Sequence, residues 1–132
     1  MLNKFSYRIY YEDTDAGGVV YYANYLKFFE RARTDFLRAL GISQSDLVNK
    51  ENLVFVVRKC AIEYVSPAKL DDVLEVSVAI KNISAASILM QQEATKSGVT
   101  SSRLEVEIVC VDRVSFKPKK IPQEIKLLFD VR

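Results

Sequence analysis

The chain has 132 residues, 49% hydrophobic and 27% charged, with a formal net charge of +2, proportions that suit one globular domain able to bury its own core. No apolar run nears the ~20 residues that cross a bilayer, and the charge is too small for a general nucleic-acid binder. The chain has no histidine, which removes Ser-His-Asp and Cys-His triads, histidine bases and nearly every zinc site; no metal site is expected, and proton chemistry falls to Asp, Glu, Lys, Tyr or Cys.

Met1-Leu2-Asn3-Lys4 leads straight into an alternating segment, so no signal peptide is expected and the cytoplasm is the expected location. Residues 5–11 place Phe5, Tyr7, Ile9 and Tyr11 on one face of a strand. Glu12, Asp13 and Asp15 then crowd three carboxylates into four positions, ahead of Gly17 and Gly18. A carboxylate there can serve as base or nucleophile, and free N–H groups at a following helix start can hold an oxyanion. The bland reading is a loop Asp capping a turn, with Asp13 tied to nearby backbone and the glycines present for positive φ.

A helix is predicted from about residues 22–24 to 40. Its wide apolar stripe includes Tyr22, Tyr25, Phe28, Phe29, Ala32, Phe36 and Leu37, so most of it is buried. Asn24 reads as its N-cap or as a hydrogen-bond donor at its start, and Gly41 as its C′ residue, with Ile42 folding back on Leu37. Glu30 and Arg31 read as a surface or interface ion pair, with a second carboxylate site as the sharper alternative.

Four strands follow, at about 53–65, 73–81, 87–96 and 101–112, and Pro122 starts a short terminal helix. In the first of them Val54, Val56, Cys60, Ile62 and Tyr64 share a face, interrupted by Arg58, which reads as a packed or interface arginine with substrate contact as the alternative. Cys60 and Cys110 both fall on apolar strand positions and are expected as buried, reduced thiols. Residues 113–132 hold six basic and two acidic side chains against thirteen and fifteen in the rest. Lys117, Lys119 and Lys120 there form a solvated edge or a local phosphate site. A long buried helix with about five antiparallel strands implies an α+β design, the sheet curled around the helix.

Tyr10, Glu12-Asp13-Thr14-Asp15, Gly18-Val19-Val20-Tyr21 and Ala23-Asn24-Tyr25, extended by Glu30-Arg31-Ala32-Arg33-Thr34 and by Tyr64, Pro67-Ala68 and Leu70-Asp71-Asp72, resemble the signature of hot-dog-fold acyl-CoA thioesterases. The resemblance is nearest to the YbgC-like branch associated with the Tol–Pal system and to 4-hydroxybenzoyl-CoA thioesterase, and it covers nearly the whole chain. It implies a sheet wrapped around a central helix, and chains paired into dimers or a homotetramer with active sites at the dimer interface. It also implies hydrolysis of an acyl-CoA to a carboxylate and free CoA. The catalytic carboxylate falls at Asp15 and the oxyanion N–H at Tyr22, where YbgC-like proteins usually carry His and the 4-hydroxybenzoyl branch carries Tyr. Gly17, Gly18, Val19 and Asn24 would contact substrate around the thioester, with Arg58, Lys117 and Lys119 as further contacts. No cofactor is expected beyond the coenzyme A of the substrate. The alternative is a scaffold of the same fold that binds acyl carrier protein or an envelope complex. A hot-dog dehydratase fits poorly, since that chemistry generally leans on histidine.

Overall fold

The computed structural model describes residues 3–130; Met1 and Leu2, where the absence of a signal peptide was read, lie outside them. Six antiparallel strands form one sheet: β1 (Lys4–Arg8), β2 (Leu53–Tyr64), β3 (Val73–Ser77), β4 (Ala79–Ile83), β5 (Ser87–Lys96) and β6 (Val99–Asp112). Their spatial order is β1-β3-β5-β6-β2, with β4 also on β5. Helix α1 (Tyr25–Ala39) lays Tyr25, Phe28, Phe29, Ala32, Phe36 and Leu37 against the sheet's inner face. Leu74, Val76, Ile88, Met90, Ala94, Leu104, Val106, Ile108 and Cys110 complete that core. Buried Gln92 is fully engaged there: its Nε2 donates to the Phe29 carbonyl at 2.9 Å and its Oε1 accepts from Arg33 at 2.9 Å. This is the hot-dog arrangement expected from the sequence.

The end of α1 follows its local code. Gly41 adopts φ +89°, its N–H donates to the Arg38 carbonyl, and the Ile42 N–H donates to the Leu37 carbonyl, which is the Schellman pair of bonds. A short α2 (Gln44–Asp46) is capped by the Ser43 hydroxyl, and α3 (Gln123–Asp130) returns Ile125 and Phe129 to the core.

Four expectations change. The first strand ends at Arg8, because Asp13 draws residues 10–13 into a tight turn. Its Oδ2 accepts the Tyr10 N–H at 2.8 Å, its own N–H donates to the Tyr10 carbonyl at 3.0 Å, and Tyr11 turns outward. The predicted strand over 73–81 is two, β3 and β4, hence six strands instead of five. At the break the Ser77 hydroxyl takes the Glu93 N–H, and the Val78 N–H turns to the Asn3 carbonyl.

On β2 the register against β6 shifts between Val57 and Lys59. This bulge at Arg58 inverts the facing of the preceding residues. Val57, Cys60 and Ile62 oppose the core residues Ile108, Val106 and Leu104, whereas Val54 and Val56 oppose Val111 and Val109 on the outer face. Finally, Cys60 is exposed and only Cys110 is buried, burial raising the Cys110 thiol's pKa. Cys60 lies on an edge strand that pairs only with β6 among the described residues, which leaves it exposed.

Candidate active site

The carboxylate segment is a tight hairpin at the head of the central helix. Thr14 bridges Val20, the Asp15 N–H donates to the Val19 carbonyl at 2.8 Å, and the Gly18 N–H donates to the Asp15 carbonyl at 3.1 Å. Val19 also bridges Lys69 and the Val20 N–H donates to the Ala68 carbonyl, so the hairpin is stitched to the segment after β2. Gly18 sits at φ +81°, a conformation glycine adopts freely. Gly17 matters for a different reason: a Cβ there would stand 3.3 Å from the Asp15 carboxylate oxygen and would press on it.

Asp13 and Asp15 have diverged completely. Asp13 is buried, its carboxylate held by the Tyr10 N–H, while its carbonyl accepts from the Tyr21 N–H and the Asn24 side chain, each at 3.0 Å. It fixes the loop to the helix start. Asn24 acts as the hydrogen-bond donor of the two roles expected for it; its side chain caps no helix N–H. Asp15 is exposed; its Oδ1 accepts the Gly17 N–H at 2.8 Å, and its Oδ2 accepts no bond from the described residues.

The chain turns at Tyr21, extended at φ −62° and ψ 131°, into a helical turn (Tyr22–Asn24) that runs on into α1. Among the described residues the Tyr22 N–H meets no acceptor, as expected for the first donors of a helix. Beside it opens a cleft of about 290 Å³ lined by Val19, Val20, Tyr22, Tyr25, Tyr64, Val65, Ser66 and Pro67. The Tyr64 hydroxyl donates to the Tyr22 carbonyl at 3.1 Å, and its ring stands edge-on to Tyr22 at 6.0 Å and tilted to Tyr25 at 5.7 Å. Burial, then the neighbouring Tyr22, raises the Tyr64 phenol's pKa, keeping it a donor. The Tyr25 hydroxyl is anchored on Ser101, 2.8 Å away.

Asp15, Gly17, Gly18 and Val19 thus share one hairpin that runs on to Tyr22 and Asn24, and of these Val19 and Tyr22 line the cleft. Arg58, Lys117 and Lys119 do not join them within one chain. Arg58 pairs with Glu107 at 2.9 Å at the β2 bulge. Lys117 and Lys119 hydrogen-bond through their backbones to Asp112 and Cys110, at the end of the β2–β6 pair opposite Tyr64, roughly 30 Å away at the rise of an extended strand. Glu30 is elsewhere on α1, accepting from Thr34 at 2.7 Å. Sequence reasoning gave Tyr25 and Tyr64 no part in the site. Their signal was present in Tyr64-x-x-Pro67, but only the fold carries the end of β2 to the helix start.

Residues 10–129 match the family model of the thioesterase-like superfamily. The chain belongs to this family. The Haemophilus influenzae acyl-CoA thioesterase YbgC is 46% identical over 129 residues, covering 96% of this chain and 95% of that protein. The Helicobacter pylori acyl-CoA thioesterase YbgC is 38% identical over 86% of this chain and 71% of its own length. Among solved structures, a probable thioesterase from Bartonella henselae superposes with a TM-score of 0.87 at 36% identity, covering 90% of this chain and 98% of that one. As in these thioesterase-like relatives, the match spans hairpin, central helix and sheet together. No helix among the described residues is long and apolar enough to cross a membrane.

Proposed function

We propose that the chain is an acyl-CoA thioesterase whose reacting centre lies between Asp15 and the head of the central helix. What supports this is one short segment that carries an exposed carboxylate with a free oxygen at Asp15 and leads, seven residues on, to an unengaged helix-start N–H at Tyr22. The thioester carbonyl oxygen takes the Tyr22 N–H, and the helix dipole favours the negative charge that develops on it. Asp15 activates a water that attacks the carbonyl carbon, or attacks it directly to give an anhydride that water then opens. In either case the C–S bond breaks, and the products are a carboxylate and CoA. Asn24 positions the hairpin, and Gly17, Gly18 and Val19 allow close approach of the substrate. The chemistry draws on no metal or redox cofactor; coenzyme A enters as part of the substrate.

The reading includes a second copy of the chain. Among the described residues the outer edge of β2 is unpaired over its twelve residues, and an open edge of that length is a template for another strand. Antiparallel pairing of two copies along it sets the Leu53 end of one beside the Tyr64 end of the other. That brings Lys117 and Lys119 of the second copy toward the cleft, where they meet the CoA phosphates, with Arg58 near the seam. A homotetramer is two such dimers. Exposed, reduced Cys60 fits a cytoplasmic location.

Thiol release from short, long and aromatic acyl-CoAs tests the reading. Cleavage of some of them, lost by at least ~100-fold in Asp15→Asn, supports it. No cleavage of any would favour a scaffold that binds acyl carrier protein, and unchanged cleavage in Asp15→Asn would move the site, with Glu30 next to be tested.

A further inference from the structure

The turn after β6 displays two apolar side chains, Val114 and Phe116, that the thioesterase reading does not use. The chain turns back at residues 113–116, and the turn satisfies its own backbone. The Asp112 carboxylate accepts the Val114 and Ser115 N–H groups at 3.1 and 2.8 Å, the Phe116 N–H donates to the Asp112 carbonyl at 2.9 Å, and the Asp112 N–H donates to the Lys117 carbonyl at 2.9 Å. The Arg113 N–H donates to the Asn52 carbonyl, fixing the turn to the start of β2. A turn so well closed has no packing need for large apolar side chains, yet it displays two. Val114 is 76% exposed and Phe116 64% exposed. Phe116 also sits at φ +59°, where Asn or Gly is the ordinary choice.

The same segment carries Arg113, Lys117, Lys119 and Lys120, all exposed; Lys117 and Lys119 are the pair given above to the CoA phosphates, and Arg113 and Lys120 have no part there. None of the four takes part in the ion pairs of the described residues. The nearest acid in sequence, Asp112, is engaged by the turn, its pKa lowered first by the Ser115 N–H. Glu51, next to Asn52, and Glu124, in α3, are the other acids on the adjoining segments. The turn therefore presents two exposed apolar side chains with a collar of cations flanking them in sequence.

We propose that this turn docks the protein on an anionic lipid surface, Val114 and Phe116 entering the interface and the collar facing the headgroups. Apolar insertion and basic attraction act together in interfacial binding, and an exposed apolar pair flanked by unpaired cations supplies both. An acidic protein partner would need the collar but not the tip. The inference does not depend on the thioesterase reading.

The test uses the full chain and vesicles of phosphatidylcholine alone or mixed equally with phosphatidylglycerol. The protein is expected to sediment with the anionic vesicles only, and high salt should release it. Val114→Ser with Phe116→Asn, and separately Arg113→Glu with Lys120→Glu, should each weaken binding about tenfold or more without changing Tm. The chain has no tryptophan, so Phe116→Trp reports directly: its emission should shift to the blue on adding anionic vesicles. Absence of binding, or of the blue shift, would overturn the proposal. Loss of binding in the charge variant with full binding in the tip variant would also overturn it, in favour of an acidic protein partner.

Discussion

Asp13 and Asp15 stand two residues apart and do opposite work, because one is buried and bonded and the other is exposed with a free oxygen. Asp13→Ala leaves the part-buried Tyr10 N–H without its acceptor and empties a buried position, and should cost about 1–3 kcal/mol in urea unfolding. Asp15→Asn should leave stability within ~0.5 kcal/mol while abolishing thioester cleavage on the proposed mechanism. Gly17→Ala separates geometry from charge. The added methyl, 3.3 Å from the Asp15 oxygen, should lower kcat at nearly unchanged Tm, because it displaces the carboxylate without removing it.

Acid sensitivity also belongs to single residues. The Lys69 N–H and then Lys96 lower the Asp72 pKa, and the Ser115 N–H does the same for Asp112. A carboxyl with a folded-state pKa below its unfolded value, about 3.9, stabilises the fold above that value and stops doing so as pH falls through the folded one. Thermal melts should therefore show Tm falling below about pH 4, and falling less steeply in Asp72→Asn or Asp112→Asn.

At the scale of elements, α1 is held at both ends by local chemistry and along its length by burial. Gly41 occupies a φ of +89° that allows the Schellman bonds to close, so Gly41→Ala should destabilise by about 1 kcal/mol, read as a shifted urea midpoint at constant m. Phe36, wholly buried against the sheet, should cost about 3–5 kcal/mol on truncation to Ala. Strand β2 is governed differently. Its bulge lets Arg58 reach Glu107 at 2.9 Å while Phe55 and Ile62 both face the core.

For the whole molecule the decisive feature is the open edge of β2. Its inner-facing Val57 is 51% exposed, and β2 lines a concavity of about 410 Å³ against α1, with Glu30, Arg33 and Thr34 on its wall. Arg33 donates there to Gln92, burial lowering its pKa against the opposing pull of the Glu30 charge. On the proposed pairing, light scattering should give two or four times the 15.0 kDa chain mass. Val57→Asp should shift the protein toward monomer and lower kcat/KM together. A monomer retaining full activity would separate the site from the interface.

The sequence by itself determined the glycine turn after the carboxylates, the helix and its C-terminal glycine, the alternation of β5 and β6, and the thioesterase signature. Each of these is set by residues a few positions apart: glycine φ, capping groups and side-chain period. It did not determine the facing of the first half of β2, because one bulge residue inverts every side chain before it. The exposure of Cys60 and the break at Val78 were likewise hidden, since both depend on which strands lie alongside. The tyrosine-lined cleft was decided only by the tertiary structure, which carries the end of β2 across to the helix start, 42 residues earlier at Tyr22. The same folding left Lys117 and Lys119 at the far end of that strand pair, because an antiparallel sheet separates the two ends of a twelve-residue strand by its full length.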